Sequence, residues 1–139
     1  MRLQSKVTLL IGIWCALILF TPLIAHLFPA ASIYLYVMFS PLCHQIPGRS
    51  FFLAGIQLPV CARCTGIYLG GFVGSFFVRP RAPPPWILMA AFLPMGIDGV
   101  TQIFFRESTN SIRFLTGFIA GVAVLFYLYP GILSLKLKR

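Results

Sequence analysis

Residues 7–28 form one apolar run with no Asp, Glu, Lys or Arg, broken by Thr21, Pro22 and His26. Nothing else in the chain restricts its folding as much. A helix rises 1.5 Å per residue, so about 20 apolar residues cross a ~30 Å hydrocarbon core. A secretory leader also follows basic residues, here Arg2 and Lys6. This run is longer than an ordinary leader core and no clean A-x-A cleavage site follows it, so it reads as a span. Residues 86–105 and 112–133 are two further runs of that length. Residues 61–78 are shorter and glycine-rich, helical from Cys64 onward, and stopped by Arg79-Pro80-Arg81-Ala82-Pro83-Pro84-Pro85.

The expected fold is therefore an all-α membrane protein: one four-helix transmembrane domain over 1–139, with spans at about 7–28, 61–78, 86–105 and 112–133. Composition agrees. Charged residues are 9% of the 139 and the AVILMFWYC set is 59%, whereas a soluble domain carries about 25% charged residues to cover its surface. Disorder is excluded by the same shortage of charge and wealth of apolar residues.

The net charge of +9 does not mark a nucleic-acid partner, because the basic residues are scattered through short loops and chain ends. In a membrane they report orientation. With both ends inside, Arg2, Lys6, Arg79, Arg81, Lys136, Lys138 and Arg139 are cytoplasmic, against Arg49, Arg63, Arg106 and Arg113 outside. A multi-pass protein of the cell membrane, N-in and C-in, follows, with the long connection 29–60 between helices one and two extracytoplasmic. That connection is too apolar for a solvated loop and is expected to fold back on the bundle. Residues 32–39 read as a short interfacial helix ended by Pro41. Residues 50–53 and 56–58, joined by Ala54-Gly55, read as a small hairpin.

Gly66, Gly70 and Gly74 recur every four residues, and Gly117 and Gly121 repeat the spacing on the last helix. Small residues at that interval let helix backbones approach where lipid supplies no hydrophobic drive, so helix packing is the expected role.

Of the four cysteines, Cys15 falls in mid-span and reads as a buried apolar residue. The others fall outside the spans or at their edge. Cys61-Ala62-Arg63-Cys64 is a C-x-x-C at a helix start, and Cys43-His44 lies 18 residues earlier. C-x-x-C is a chelating spacing for a tetrahedral ion, so Cys43, Cys61, Cys64 and His44 form a candidate zinc site. Neighbours in extended chain point to opposite sides, so His26 or Asp98 is an alternative fourth ligand, leaving His44 as a supporting or proton-carrying group. The competing reading is a disulfide, to which an extracytoplasmic location is permissive. Three external cysteines leave one unpaired. Arg63 and the helix start both favour the thiolate.

Asp98 is the one acid within a span. Gln102 shares its face one turn on, and Pro94 precedes it by one turn. An acid inside a span faces inward or meets a partner. Arg113 is the expected counter-charge. Arg49, Asp98, Gln102, Asn110 and Arg113 thus form a candidate polar cluster beside the cysteines, with Asp98 and His44 the candidate catalytic groups. No reaction is specified.

Three stretches together resemble a family of small prokaryotic membrane proteins designated only by unknown function. They are Cys43-His44-Gln45-Ile46-Pro47-Gly48-Arg49-Ser50-Phe51-Phe52, Pro59-Val60-Cys61-Ala62-Arg63-Cys64-Thr65-Gly66-Ile67-Tyr68, and Asp98-Gly99-Val100-Thr101-Gln102 with Asn110, Arg113 and Thr116-Gly117. The resemblance covers roughly 43–121 and implies that these polar residues form the family's functional site. A weaker, architectural similarity is to the quinone-linked thiol oxidases of bacterial disulfide formation, which also carry a C-x-x-C at the outer start of helix two. Their second cysteine pair is missing here from the turn 106–111.

Three functions are compatible with these features. The first is a membrane protein with an extracytoplasmic zinc site, structural or directed at a lipid headgroup. The second is a thiol–disulfide oxidoreductase using Cys61–Cys64 and a quinone. The third is an accessory subunit of a larger membrane complex.

Overall fold

The computed structural model describes residues 3–104 and 107–137. Arg2, Arg106, Lys138 and Arg139, which entered the orientation argument, lie outside them, as does the end of the 86–105 span. The elements are α1 (Leu3–Leu27), α2 (Pro29–Phe39), a 3-10 turn (Pro47–Arg49), β1 (Ser50–Leu53), β2 (Ile56–Cys61), α3 (Ala62–Ser75), α4 (Pro85–Phe104) and α5 (Asn110–Leu137). Among the described residues three helices, α1, α4 and α5, are long and apolar enough to cross a membrane.

α3 is the exception to the four expected spans. It has 14 residues, about 21 Å of helix, because Phe76 and Phe77 close it in a turn before the Arg79–Pro85 stretch. Its direction is set by its neighbours. Gln4 of α1 donates to the Ser75 carbonyl at 3.1 Å, and the Cys15 thiol to the Tyr68 carbonyl at 3.4 Å, so α1 and α3 run antiparallel. Cys15 is buried at that contact, as expected of an apolar packing residue.

α3 and α5 run parallel and pack most extensively, through the glycines. A methyl group on Gly70 would overlap the Phe118 carbonyl, and one on Gly121 would overlap the Ile67 carbonyl. The two backbones are in contact with no room for a side chain between them. This is the packing that the four-residue glycine spacing foretold. α4 lies on the far side of α5 and buries only Asp98.

The chain reverses at Phe28-Pro29. Proline disfavours the helical region in the residue before it, and Phe28 leaves the helix with φ −137° and ψ 75°, while Pro29 opens α2. α2 then descends alongside α1. Phe39 at its end is fully buried, with its ring edge-on to Trp14 at 5.0 Å. The expected interfacial helix over 32–39 is thus longer and doubled back, since its apolar residues find partners on α1.

The hairpin has the expected first strand and a longer second one. Ser50 pairs with Cys61, Phe52 with Gln57 and Leu53 with Ile56. Ala54 (φ 51°) and Gly55 (φ 79°) both take left-handed backbone, the requirement of a tight two-residue hairpin turn. β2 continues to Cys61 because Leu58 and Val60 enter the core with Ile18, Phe39 and Cys43. Hairpin and α2 together wall the side of α1 and α3 on which the cysteines converge.

Candidate metal site

Three segments deliver the thiols. Cys43 follows the turn that closes α2, Cys61 ends β2 and caps α3, and Cys64 sits in the first turn of α3. Their Sγ atoms all lie within 4.8 Å of one another, and all three cysteines are free thiols. Sulfurs around a tetrahedral zinc are about 3.8 Å apart, from Zn–S bonds of ~2.3 Å. The three sulfurs are therefore close enough together that they could hold one ion. The Cys61 amide donates to Cys43 Sγ at 3.1 Å, which ties the first segment to the second. Hydrogen bonding from the Cys64 thiol, then from the Cys64 amide and, more weakly, the Cys43 thiol and the Arg63 amide, outweighs burial and pulls the Cys61 thiol down to about 5.

Gln45 holds the Cys43 segment in place. Its backbone is left-handed, φ 52°. Its side-chain amide donates to the carbonyls of Tyr36 (2.7 Å) and Pro59 (2.8 Å), and its own carbonyl accepts from Gln57 (2.7 Å). That lock turns Cys43 inward and His44 outward: Cys43 is buried and His44 exposed. His44 lines the cavity in front of the thiols, outside the close sulfur group. His26 is exposed on α1, and it is not among the residues lining that cavity.

The cavity is about 360 Å³, and Arg49, Arg63 and Arg113 line it together with the three cysteines. Asp98 is buried, and its Oδ2 accepts from Arg63 Nη2 at 2.7 Å and from Gln102 Nε2 at 2.8 Å. Arg113 donates to Gln102 Oε1 through Nη2 (3.1 Å) and Nε (3.3 Å), and to Asn110 Oδ1 through Nη1 (3.0 Å). Asn110 in turn donates to the Ser50 carbonyl at 3.0 Å, joining α5 to the hairpin. The cluster of Arg49, Asp98, Gln102, Asn110 and Arg113 is brought together beside the cysteines.

The internal pairing differs from expectation. Asp98 bonds Arg63, not Arg113, and Gln102 mediates between Asp98 and Arg113. The reason is register: the glycine contact places Arg63 at the level of the first turns of α5, with the acid of α4 in reach. Arg63 is the site residue that sequence reasoning left out of the cluster. Its position between the two cysteines of the C-x-x-C was the signal available.

Fold and site define a helical membrane protein with a three-thiol cluster walled by a re-entering helix and a hairpin. Residues 43–127 match the family described as "Predicted membrane protein (DUF2085)". The chain belongs to that family. It is similar to an uncharacterized protein, MJ1492, of Methanocaldococcus jannaschii, with 46% identity over 116 residues covering 78% of this chain and 74% of the relative. An uncharacterized protein of Methanothermobacter thermautotrophicus is 42% identical over 92 residues, covering 62% of this chain and 83% of its own length. No solved structure matches.

Proposed function

We propose that this protein holds a zinc ion on Cys43, Cys61 and Cys64, at the outer face of a four-crossing bundle whose two ends are cytoplasmic. The observation that carries the reading is the convergence of three cysteine sulfurs from three separate segments. A disulfide between two of them would strand the third. Three thiolates suit zinc among divalent ions and would leave a fourth position to be filled. His44 reaches that position by rotating inward from the cavity wall. With His44 turned away, the position is open, and a zinc ion there would supply Lewis acidity to whatever occupies the cavity.

In this arrangement α3 crosses with the least length, and α2 and the hairpin fill the layer above its N-terminus. The residues act in defined ways. Gln45 fixes the Cys43 segment, the Cys61 amide orients Cys43 Sγ, and Asp98 holds Arg63 at the cavity wall. Asp98 is in this reading a positioning residue, acting through Arg63 and Gln102 rather than on the metal, and His44 on the cavity lining is the candidate proton carrier.

Elemental analysis of protein purified without added metal tests the reading. About one zinc per chain is expected, largely lost on Cys61→Ser or Cys64→Ser. A metal-free protein with Cys61 and Cys64 joined in a disulfide would refute it. That outcome would favour the second reading, a quinone-linked thiol–disulfide oxidoreductase, which the lowered Cys61 thiol supports.

A further inference from the structure

We propose that the cavity in front of the thiols binds a phosphate-type oxyanion on Arg49, Arg63 and Arg113. The charges on its wall do not balance. Three guanidinium groups face the cavity, and Asp98 is the one carboxylate bonded into the cluster. With neutral thiols the wall carries two uncompensated positive charges. With three thiolates on a divalent ion it still carries one.

Each arginine has capacity left. Arg113 is 4% exposed, yet its direct partners are the neutral oxygens of Gln102 and Asn110. The charges of Arg49 and Arg63 act on it repulsively, and those of Asp98 and Glu107 act on it attractively without bonding it directly. A buried cation lacking a directly bonded anion is costly, and more so beside like charges. Arg63 spends Nη2 on Asp98, while its Nε is buried with no hydrogen-bond partner. The Arg49 guanidinium is exposed, and makes no hydrogen bond or ion pair among the described residues.

Planar guanidinium groups recognise phosphate oxygens in pairs, and three around one cavity suit a tetrahedral anion better than a planar carboxylate. About 360 Å³ accommodates a phosphate headgroup. Leu42 and Ile46 on the same wall are 52% and 42% exposed, so apolar surface continues from the polar cavity. A lipid headgroup and a free phosphate share this chemistry.

Titration of the purified, detergent-solubilised protein tests the assignment, with thermal unfolding as the readout. Phosphatidic acid and inorganic phosphate are the two probes, and chloride at matched ionic strength is the control. Saturable stabilisation by at least one probe is expected. Response to phosphatidic acid alone identifies a lipid headgroup, and equal response to phosphate identifies the free anion. Arg49→Gln should weaken binding about tenfold without lowering the unliganded melting temperature, since it relieves repulsion on Arg113, and Arg49→Lys should recover most of the loss of binding. No saturable shift with either probe, or unchanged affinity in Arg49→Gln, would overturn the proposal. The zinc content of the same sample is measured in parallel. Zinc without anion binding refutes this assignment alone, and anion binding without zinc refutes the metal alone.

Discussion

The Asp98 network makes a prediction that separates two pairings of the same charges. Oδ2 of Asp98 accepts two bonds, at 2.7 Å from Arg63 and 2.8 Å from Gln102. A hydrogen bond involving a charged group contributes roughly 1.5–3 kcal/mol. Asp98 is 4% exposed, but the Arg63 side chain is 29% exposed, so water in the cavity recovers part of what Arg63 loses. Asp98→Asn keeps the volume and removes the charge, and we expect a cost of about 2 kcal/mol. For a chain of this length that is a fall of roughly 6–10 °C in melting temperature. Arg63→Gln should cost more than a surface change, because it leaves the buried carboxylate with the neutral donors Gln102 and Ser108 and no directly bonded cation. The double variant should recover about 1–2 kcal/mol relative to the sum. The parallel cycle of Asp98→Asn with Arg113→Gln should show a coupling smaller by about 1 kcal/mol, since Gln102 stands between the two. Thermal unfolding in one detergent, monitored for all five variants, measures both cycles. A larger coupling for Asp98 with Arg113 than with Arg63, or additivity of Asp98 with Arg63, would refute the network.

Three further outcomes follow from other parts of the structure. Gly70→Ala should destabilise by ~2 kcal/mol or more, because the methyl meets the Phe118 backbone, which cannot rotate away, whereas Gly99→Ala, with open space at its Cβ, should be neutral or gain up to ~1 kcal/mol; equal unfolding temperatures for the two would show that α3 and α5 are not in backbone contact. In metal-free, reduced protein the Cys61 thiol, lowered to about 5, should be the first alkylated at pH 6. A thiol lowered on folding adds stability that is full above its ordinary value near 9 and is lost as pH falls toward 5, so melting temperature should drop across that window, and a flat profile would contradict the shift. A membrane-impermeant thiol reagent, applied after reduction and metal removal, should reach Cys61 or Cys64 from outside and spare Cys15; labelling from the cytoplasmic side alone would invert the arrangement.

The features legible in the sequence were those fixed by local rules. The long spans follow from run length, the hairpin from Ala54-Gly55 between apolar segments, and the helix contact from glycines at intervals of four. The reversal at Pro29 was half visible. Proline marks the break, but nothing local says that the next helix returns along α1, because that depends on Trp14 and Phe39 meeting across 25 residues. α3 was overestimated for a related reason. Phe76-Phe77-Val78 are as apolar as the helix before them, and only the turn at Phe76 shows that they have left it.

The site was legible as an inventory and not as a set of pairings. C-x-x-C spacing and Cys43 named the thiols, and the opposite directions of Cys43 and His44 were foreseeable from extended chain. The partner of Asp98 was not, since Arg113 is near in sequence and Arg63 is distant. What decides between them is the register of α3 against α5. A methyl group on Gly117 would strike the Arg63 carbonyl, and one on Gly66 the Phe114 carbonyl. The same contact that replaces side-chain packing with backbone packing therefore sets Arg63 one turn from Arg113 and carries Cys61 and Cys64 to the face where Cys43 descends. A residue larger than glycine at 66 or 117 would push the two helices apart and with them the thiols from the arginines. Helix packing and site chemistry in this protein thus depend on the same few ångströms. Loss of metal or anion binding in a glycine variant is expected to accompany its loss of stability rather than to occur separately.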